Sequence, residues 1–317
     1  MPAPARDCLQ KDFEHSKTPM WEVILTFYFL MLGGFILKTL GVFTEKDAKS
    51  FVDYIVYFAL PVAVFGVIHD FPLEVKDILV FTIAWITIGL TTLLVFKIFA
   101  PFIGDKKTVK TFFLTATFGN TAFAGYPIAY FLFGDKGLAY AILYDVLGNF
   151  LTVVTFAIFI ITGRVSWKTV YKFPPLGALI LAFLTKELPL GFVFHFVEVV
   201  KNSLTPVIVF SLGLRFNPRG ILKNLKLALW SVFIRMLFIP SLVLGLLVFL
   251  KGFIDISYTQ AVVILLQSSM PPFVMSVILS EKFKLNTDLA IAAVNLGLIV
   301  LPITVSLWVY LGEKFLK

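Results

Sequence analysis

Two polar, proline-bearing stretches interrupt otherwise apolar runs, and they carry most of the residues able to do chemistry. The first reads Gly119-Asn120-Thr121-Ala122-Phe123-Ala124-Gly125-Tyr126-Pro127, the second Gln267-Ser268-Ser269-Met270-Pro271-Pro272. The amide of Asn120 can donate to a carboxylate and accept from backbone amides. Gln267, Ser268 and Ser269 supply polar groups from the second stretch, and Thr121 and Tyr126 add hydroxyls from the first. Proline lacks an amide donor and suits the first position of a helix, which Pro127 and Pro272, the latter preceded by Pro271, can each occupy. A restarting helix presents free amides and a partial positive charge, and two such starts converging favour an anion. A plainer role stands beside this one: Asn120 as a helix cap, the hydroxyls as links between helices, and the prolines as simple kinks.

Asp145 and Arg235 are the ionisable residues set inside apolar runs. A charge near the bilayer centre costs at least ~2.5 kcal/mol, so Asp145 must be paired, solvated or protonated. Asn149 follows it by four residues and shares its helical face. Asn295 stands near the matching place late in the chain, which makes Asn149 and Asn295 an approximate polar pair. Arg235 is the candidate partner of Asp145, either in a fixed ion pair or in proton or cation coupling. Lys201, Glu198 and Asp53 fall near span ends, where snorkelling accounts for them; His69 and His195 lie near span ends too. No spacing of His, Asp and Glu reads as a metal site and no nucleophile-base set is present, which disfavours a membrane hydrolase. Cys8 is the single cysteine, so no internal disulfide or thiolate cluster can form. No cofactor is expected.

The elements that must hold these groups are membrane spans. Hydrophobic residues make up 59% of 317 positions and charged ones 15%, a balance no water-soluble domain approaches. Apolar runs long enough for a ~30 Å hydrocarbon core are expected at 21–40, 51–68, 78–100, 111–133, 138–162, 174–186, 191–214, 226–250, 258–279 and 287–312. They use up the chain, leaving no room for a catalytic or nucleic-acid-binding domain; the bilayer, not nucleic acid, is the expected partner. Lys and Arg alternate between rich and poor loops, which accounts for the net charge of +8 and places both termini outside by the positive-inside rule. Residues 1–19 form a polar tail without a signal-peptide core, and Met20 stands as an alternative first residue.

The chain also repeats itself. Pro61-Val62-Ala63-Val64-Phe65 returns as Pro206-Val207-Ile208-Val209-Phe210, and Trp85 with Trp230 and Pro127 with Pro272 keep the same separation. Five spans per half is an odd number, so the second half enters the membrane inverted, as in many secondary transporters. The expected fold is an all-α polytopic membrane protein: ten transmembrane helices in two inverted five-helix repeats, with crossed broken helices 4 and 9. The repeats occupy 20–162 and 174–317, joined by a cytoplasmic linker at 163–173. Unwound backbone cannot face lipid, so each break must lie within protein or line a wet cavity.

The stretches FGNTAFAGYPIAYFLFGDKGLAYAILYDVLGNF (118–150) and LLQSSMPPFVMSVILSEKFKLNTDLAIAAVNLG (265–297) resemble the auxin efflux carrier family, which includes malate-permease-like bacterial proteins and the plant PIN-FORMED exporters. The likeness runs more weakly from Trp21 to the C-terminus and takes in Arg235 through Pro240. It implies a scaffold of helices 1, 2, 6 and 7, through which a homodimer can form. It also implies a mobile transport domain of helices 3–5 and 8–10, elevator-like movement in the cell membrane, and a small carboxylate or similar organic anion held where helices 4 and 9 cross. On the resemblance Asn120 takes the substrate-side position. The 163–173 linker is far shorter than the plant type, which argues against a plant hormone substrate. A sodium-coupled carrier of the bile-acid-symporter type, a cation/proton antiporter, and a channel or membrane sensor are the competing readings.

Overall fold

The computed structural model describes residues 19–165, 170 and 172–317, apart from the side chains of Glu45, Phe192 and Lys223. Apart from Pro19, the polar tail lies outside the described residues, as do positions 166–169 and 171 of the linker. The chain forms α1 (Met20–Thr39), α2 (Lys46–Asp70), α3 (Val75–Ile103) and α4 (Lys106–Thr117). A helical run, Thr121–Thr162, then divides at Gly134 into α5 (121–133) and α6 (135–162). There follow α7 (Pro174–Leu184), α8 (Gly191–Arg215), α9 (Leu225–Leu250), α10 (Tyr258–Ser268), α11 (Met275–Lys282) and α12 (Thr287–Phe315).

Seven of these runs are long and apolar enough to cross a bilayer. The difference from ten has physical causes. The expected spans 111–133 and 258–279 are each two helices separated by extended backbone. α7 has 11 residues, which at 1.5 Å each rise about 17 Å, less than a hydrocarbon core. The boundary expected between 133 and 138 falls at Gly134, whose φ of 57° and ψ of −147° suit a residue without Cβ.

Prolines leave a second signature. Wide, π-type turns cover Ile55–Ala59, Val95–Phe99, Thr121–Gly125 and Ile234–Phe238, and each ends two residues before a proline: Pro61, Pro101, Pro127 and Pro240. Proline cannot donate to the preceding turn and clashes with it. Widening that turn relieves the clash while keeping backbone groups paired, as a lipid-facing helix must. Leu143–Phe150, a wide turn with no proline, carries Asp145 and Asn149.

α1 packs on α8, and α7 on α2. The first contact is backbone against backbone: a Cβ on Gly213 would come within 1.9 Å of the Met31 carbonyl, and one on Gly34 within 2.2 Å of the Phe210 carbonyl. Small residues allow such approach between membrane helices. α3 packs on the 143–150 stretch, and α9 on α4 and α12. Two indole donors tie this second group together, Trp85 Nε1 to the Leu147 carbonyl at 3.0 Å and Trp308 Nε1 to the Met236 carbonyl at 2.8 Å. Trp230, the sequence counterpart of Trp85, instead packs on Phe99 and Phe233. Large apolar side chains such as Trp21, Phe29, Tyr57 and Phe102 point outward, as lipid contact requires.

Candidate functional site

The two interruptions meet. Phe118 leaves α4 in extended geometry (φ −103°, ψ 130°), and Gly119 pairs antiparallel with Pro272. The Asn120 amide donates to the Pro271 carbonyl at 2.7 Å, and the Phe273 amide to the Phe118 carbonyl at 3.2 Å. Freed backbone groups thus find each other across the crossing, which is why extended chain is tolerated inside a helical membrane protein. The meeting point is Gly119 with Pro272, not the two matched prolines. Pro127 does not open the half-helix: the chain is already helical from Thr121, and Pro127 follows the wide turn Thr121–Gly125 inside α5. Pro272 does not open a helix: it stays in the extended link, because Phe273 is committed to Phe118 and α11 begins only at Met275.

Beside the crossing, Asp145 accepts from three donors. Thr121 Oγ1 reaches its Oδ1 at 2.5 Å, the Tyr126 hydroxyl reaches Oδ2 at 2.7 Å, and Asn149 Nδ2 reaches Oδ1 at 3.4 Å. Asn149 also donates to Thr121 Oγ1 at 2.9 Å and to the Gly119 carbonyl at 3.1 Å. The face shared by Asp145 and Asn149 is therefore turned on the first break and fixes its shape. Asp145 and Arg235 do not pair. The carboxylate is taken up by two hydroxyls and an amide, while the guanidinium packs on Gly119, so close that a Cβ there would lie 2.1 Å from Nη2.

Arg235 projects from the wide turn of α9, and its Nη2 donates to the Gln267 carbonyl at 3.0 Å, near the C-terminal end of α10, where a cation is favoured. It also faces the Tyr144 hydroxyl. The Gln267 side chain lies against Gly125, where a Cβ would come within 2.2 Å of Oε1. Asn120, Gln267, Asp145 and Arg235 are 3%, 1%, 5% and 1% exposed. Yet Asn120 Nδ2, both polar atoms of the Gln267 amide, Arg235 Nε and Thr117 Oγ1 have no hydrogen-bond partner. A buried donor left unpaired costs roughly 1–3 kcal/mol.

The remaining expected residues divide. Ser268 and Ser269 donate back to the Leu265 and Leu266 carbonyls at 2.7 and 2.8 Å, leaving their oxygens as acceptors. Asn295 is not brought to Asn149: its Oδ1 accepts from the Asn217 amide at 2.8 Å and its Nδ2 donates to the Ile291 carbonyl, so the approximate pair is not a spatial one. Thr117 and Tyr144 escaped sequence reasoning. Each neighbours a residue already singled out, but nothing in the order of residues tells which way they face. Lys201 is also more than a snorkelling lysine, since α8 buries it to 6% exposure and it binds Asp135 at 2.8 Å and Glu198 at 2.9 Å. Among the described residues no group of three or more His, Cys, Asp or Glu side chains could hold a metal ion.

The sequence matches the family described as membrane transport protein, the auxin efflux carrier group, over residues 19–166 and 157–309. The chain belongs to this family. The transporter is 28% identical over 306 residues to an uncharacterized transporter of Methanocaldococcus jannaschii, covering 90% of this chain and 97% of the relative. It is likewise 28% identical over 298 residues to an uncharacterized transporter of Methanothermobacter thermautotrophicus, covering 90% and 96%. These matches and the apolar helices identify an integral membrane protein and point to a transporter rather than an enzyme. A cavity of about 210 Å³ is lined by Leu73, Asp77, Phe81, Leu147 and Phe183, none of them a residue of the two breaks.

Proposed function

We propose that the protein is a secondary-active carrier of a small organic anion, bound at the crossing of its two broken helices. One observation carries the reading: the two breaks lie against each other, Asn120 on Pro271, and the buried polar atoms of Asn120, Gln267 and Arg235 around them lack partners. Helix starts favour negative charge, and amide donors suit carboxylate oxygens. Thr121, Tyr126 and Asn149 serve by holding the first break through Asp145, and Pro271 by pairing with Asn120. Proton coupling through Asp145 requires the Thr121 or Tyr126 hydroxyl to turn from donor to acceptor, because the hydrogen bonds Asp145 holds all come from donors.

Ten spans in two inverted five-helix halves account for the crosswise packing of α1 on α8 and α7 on α2. In that arrangement α1, α2, α7 and α8 are the scaffold and the dimer surface, the rest moves as an elevator, and both termini face outward from the cell membrane. Uptake of labelled mono- and dicarboxylates into proteoliposomes tests the function. Saturable uptake that falls on Asn120→Ala is the expected result, and flux indifferent to Asn120 removes the site. Uptake that depends on a sodium gradient would favour the symporter reading, and non-saturable flux a channel.

A further inference from the structure

We infer that Arg235 is the fixed counter-charge of the bound anion, so that the guanidinium selects a carboxylate over an uncharged ligand of the same shape. The inference rests on the crossing being the ligand site. It goes beyond it by giving Arg235 a part that neither the ion pair with Asp145 nor helix capping supplies.

A guanidinium carries five donors in a rigid fork and cannot be neutralised. Buried cations are ordinarily held by carboxylates, because removing one partner of a buried pair leaves an uncompensated charge. Among the described residues no carboxylate pairs with Arg235. Asp145, the nearby acid, is occupied by Thr121, Tyr126 and Asn149. The partners that Arg235 does hold are neutral, the Gln267 carbonyl and the Tyr144 hydroxyl, and Nε is buried with nothing to bond.

Geometry sets that unpaired charge at the crossing. The guanidinium lies where a Gly119 side chain would begin, with Nη2, Cζ and Nε within 2.1, 2.8 and 2.8 Å of that point. Gly119 immediately precedes Asn120, and Gln267 is the residue whose carbonyl Arg235 caps. The unpaired donors of Asn120, Gln267 and Arg235 therefore belong to one small region. Three unpaired donors, one of them charged, stand against one unpaired acceptor, Gln267 Oε1; that balance calls for an anionic oxygen ligand, and a carboxylate matches the fork of arginine.

The test uses purified full-length protein in detergent and thermal shift against a panel of mono- and dicarboxylates, each paired with its primary amide. For the best-bound acid, the parent should prefer carboxylate to amide. Arg235→Gln should lower that preference by ~30-fold or more, the lower end of the scale for truncating one partner of a buried charge pair, while changing amide affinity little. Arg235→Lys should recover part of it. If Arg235→Gln does not fold, Gly119→Ala decides, since its Cβ displaces the guanidinium without removing charge: it should weaken the acid more than the amide. An unchanged preference in these variants, with Asn120→Ala still weakening the acid, would overturn the role of Arg235 and leave the site standing. Binding indifferent to Asn120→Ala, or no acid bound at all, would overturn both.

Discussion

Replacing Asn149 with alanine should damage the crossing from one helix away. Asn149 is buried, and its Nδ2 donates to the Gly119 carbonyl at 3.1 Å, to Thr121 Oγ1 at 2.9 Å and, over a long 3.4 Å, to Asp145. An amide has two protons, so two of these contacts carry most of the energy. Each lost neutral bond is worth about 1 kcal/mol, and a buried acceptor left unpaired costs roughly 1–3 kcal/mol. Asn149→Ala should therefore destabilise the protein by about 2–4 kcal/mol on this reckoning. Asn295→Ala is the natural comparison, because the sequence pairs the two asparagines and the structure does not. Among the described residues Asn295 hydrogen-bonds to the Asn217 amide and to the carbonyl one turn back in its own helix, so its loss should cost about 1–2 kcal/mol and leave transport nearly intact. Unfolding in mixed detergent micelles gives the energies, and proteoliposome flux gives the function. Equal losses of flux in the two variants, or an Asn149→Ala protein as stable and active as the parent, would refute the claim that Asn149 shapes the break.

Other perturbations read different parts of the account. Gly213→Ala puts a Cβ 1.9 Å from the Met31 carbonyl, so α1 and α8 must separate; a loss of about 1–3 kcal/mol is expected in the same unfolding assay. A double-mutant cycle on Lys201→Met and Asp135→Asn should return a coupling of about 0.5–1 kcal/mol, held low because the Asp135 side chain is 57% exposed. Asp105 caps α4, and hydrogen bonds from the Thr108 hydroxyl and amide hold its carboxyl below the usual range. A lowered folded pKa means the cap stabilises above the ordinary carboxylate value and is lost as pH falls through the folded one. Amide exchange in the first turn of α4 should therefore open up on acidification, and not in Asp105→Asn.

Much of this was legible in the order of residues, and the reasons differ by feature. The breaks at 119–127 and 267–272 could be read because glycine, proline and polar side chains in the middle of an apolar run have few other uses in a bilayer. The turn at Gly134 and the shared face of Asp145 and Asn149 followed from local geometry alone. Arg235 could not be placed that way. Its setting depends on a wide turn before Pro240 and on the missing side chain of Gly119, in an extended link far away in sequence. Asn295 misled because thin repeat symmetry matched it to Asn149, whereas a loop amide at Asn217 claims its oxygen. A hydropathy count sums apolar length without seeing where the backbone leaves the helix; the division of the fourth and ninth spans was legible from their glycines and prolines instead, and 174–186 was already the shortest expected span, although the helix it forms is shorter still.

The central claim is that an organic anion sits between the two interruptions. Electron cryo-microscopy of the protein saturated with the carboxylate that stabilises it most would test this directly. The account predicts ligand density between Asn120 and Gln267, within reach of Arg235. Density elsewhere, for example in the cavity lined by Asp77 and Phe183, with none between the two interruptions, would contradict it.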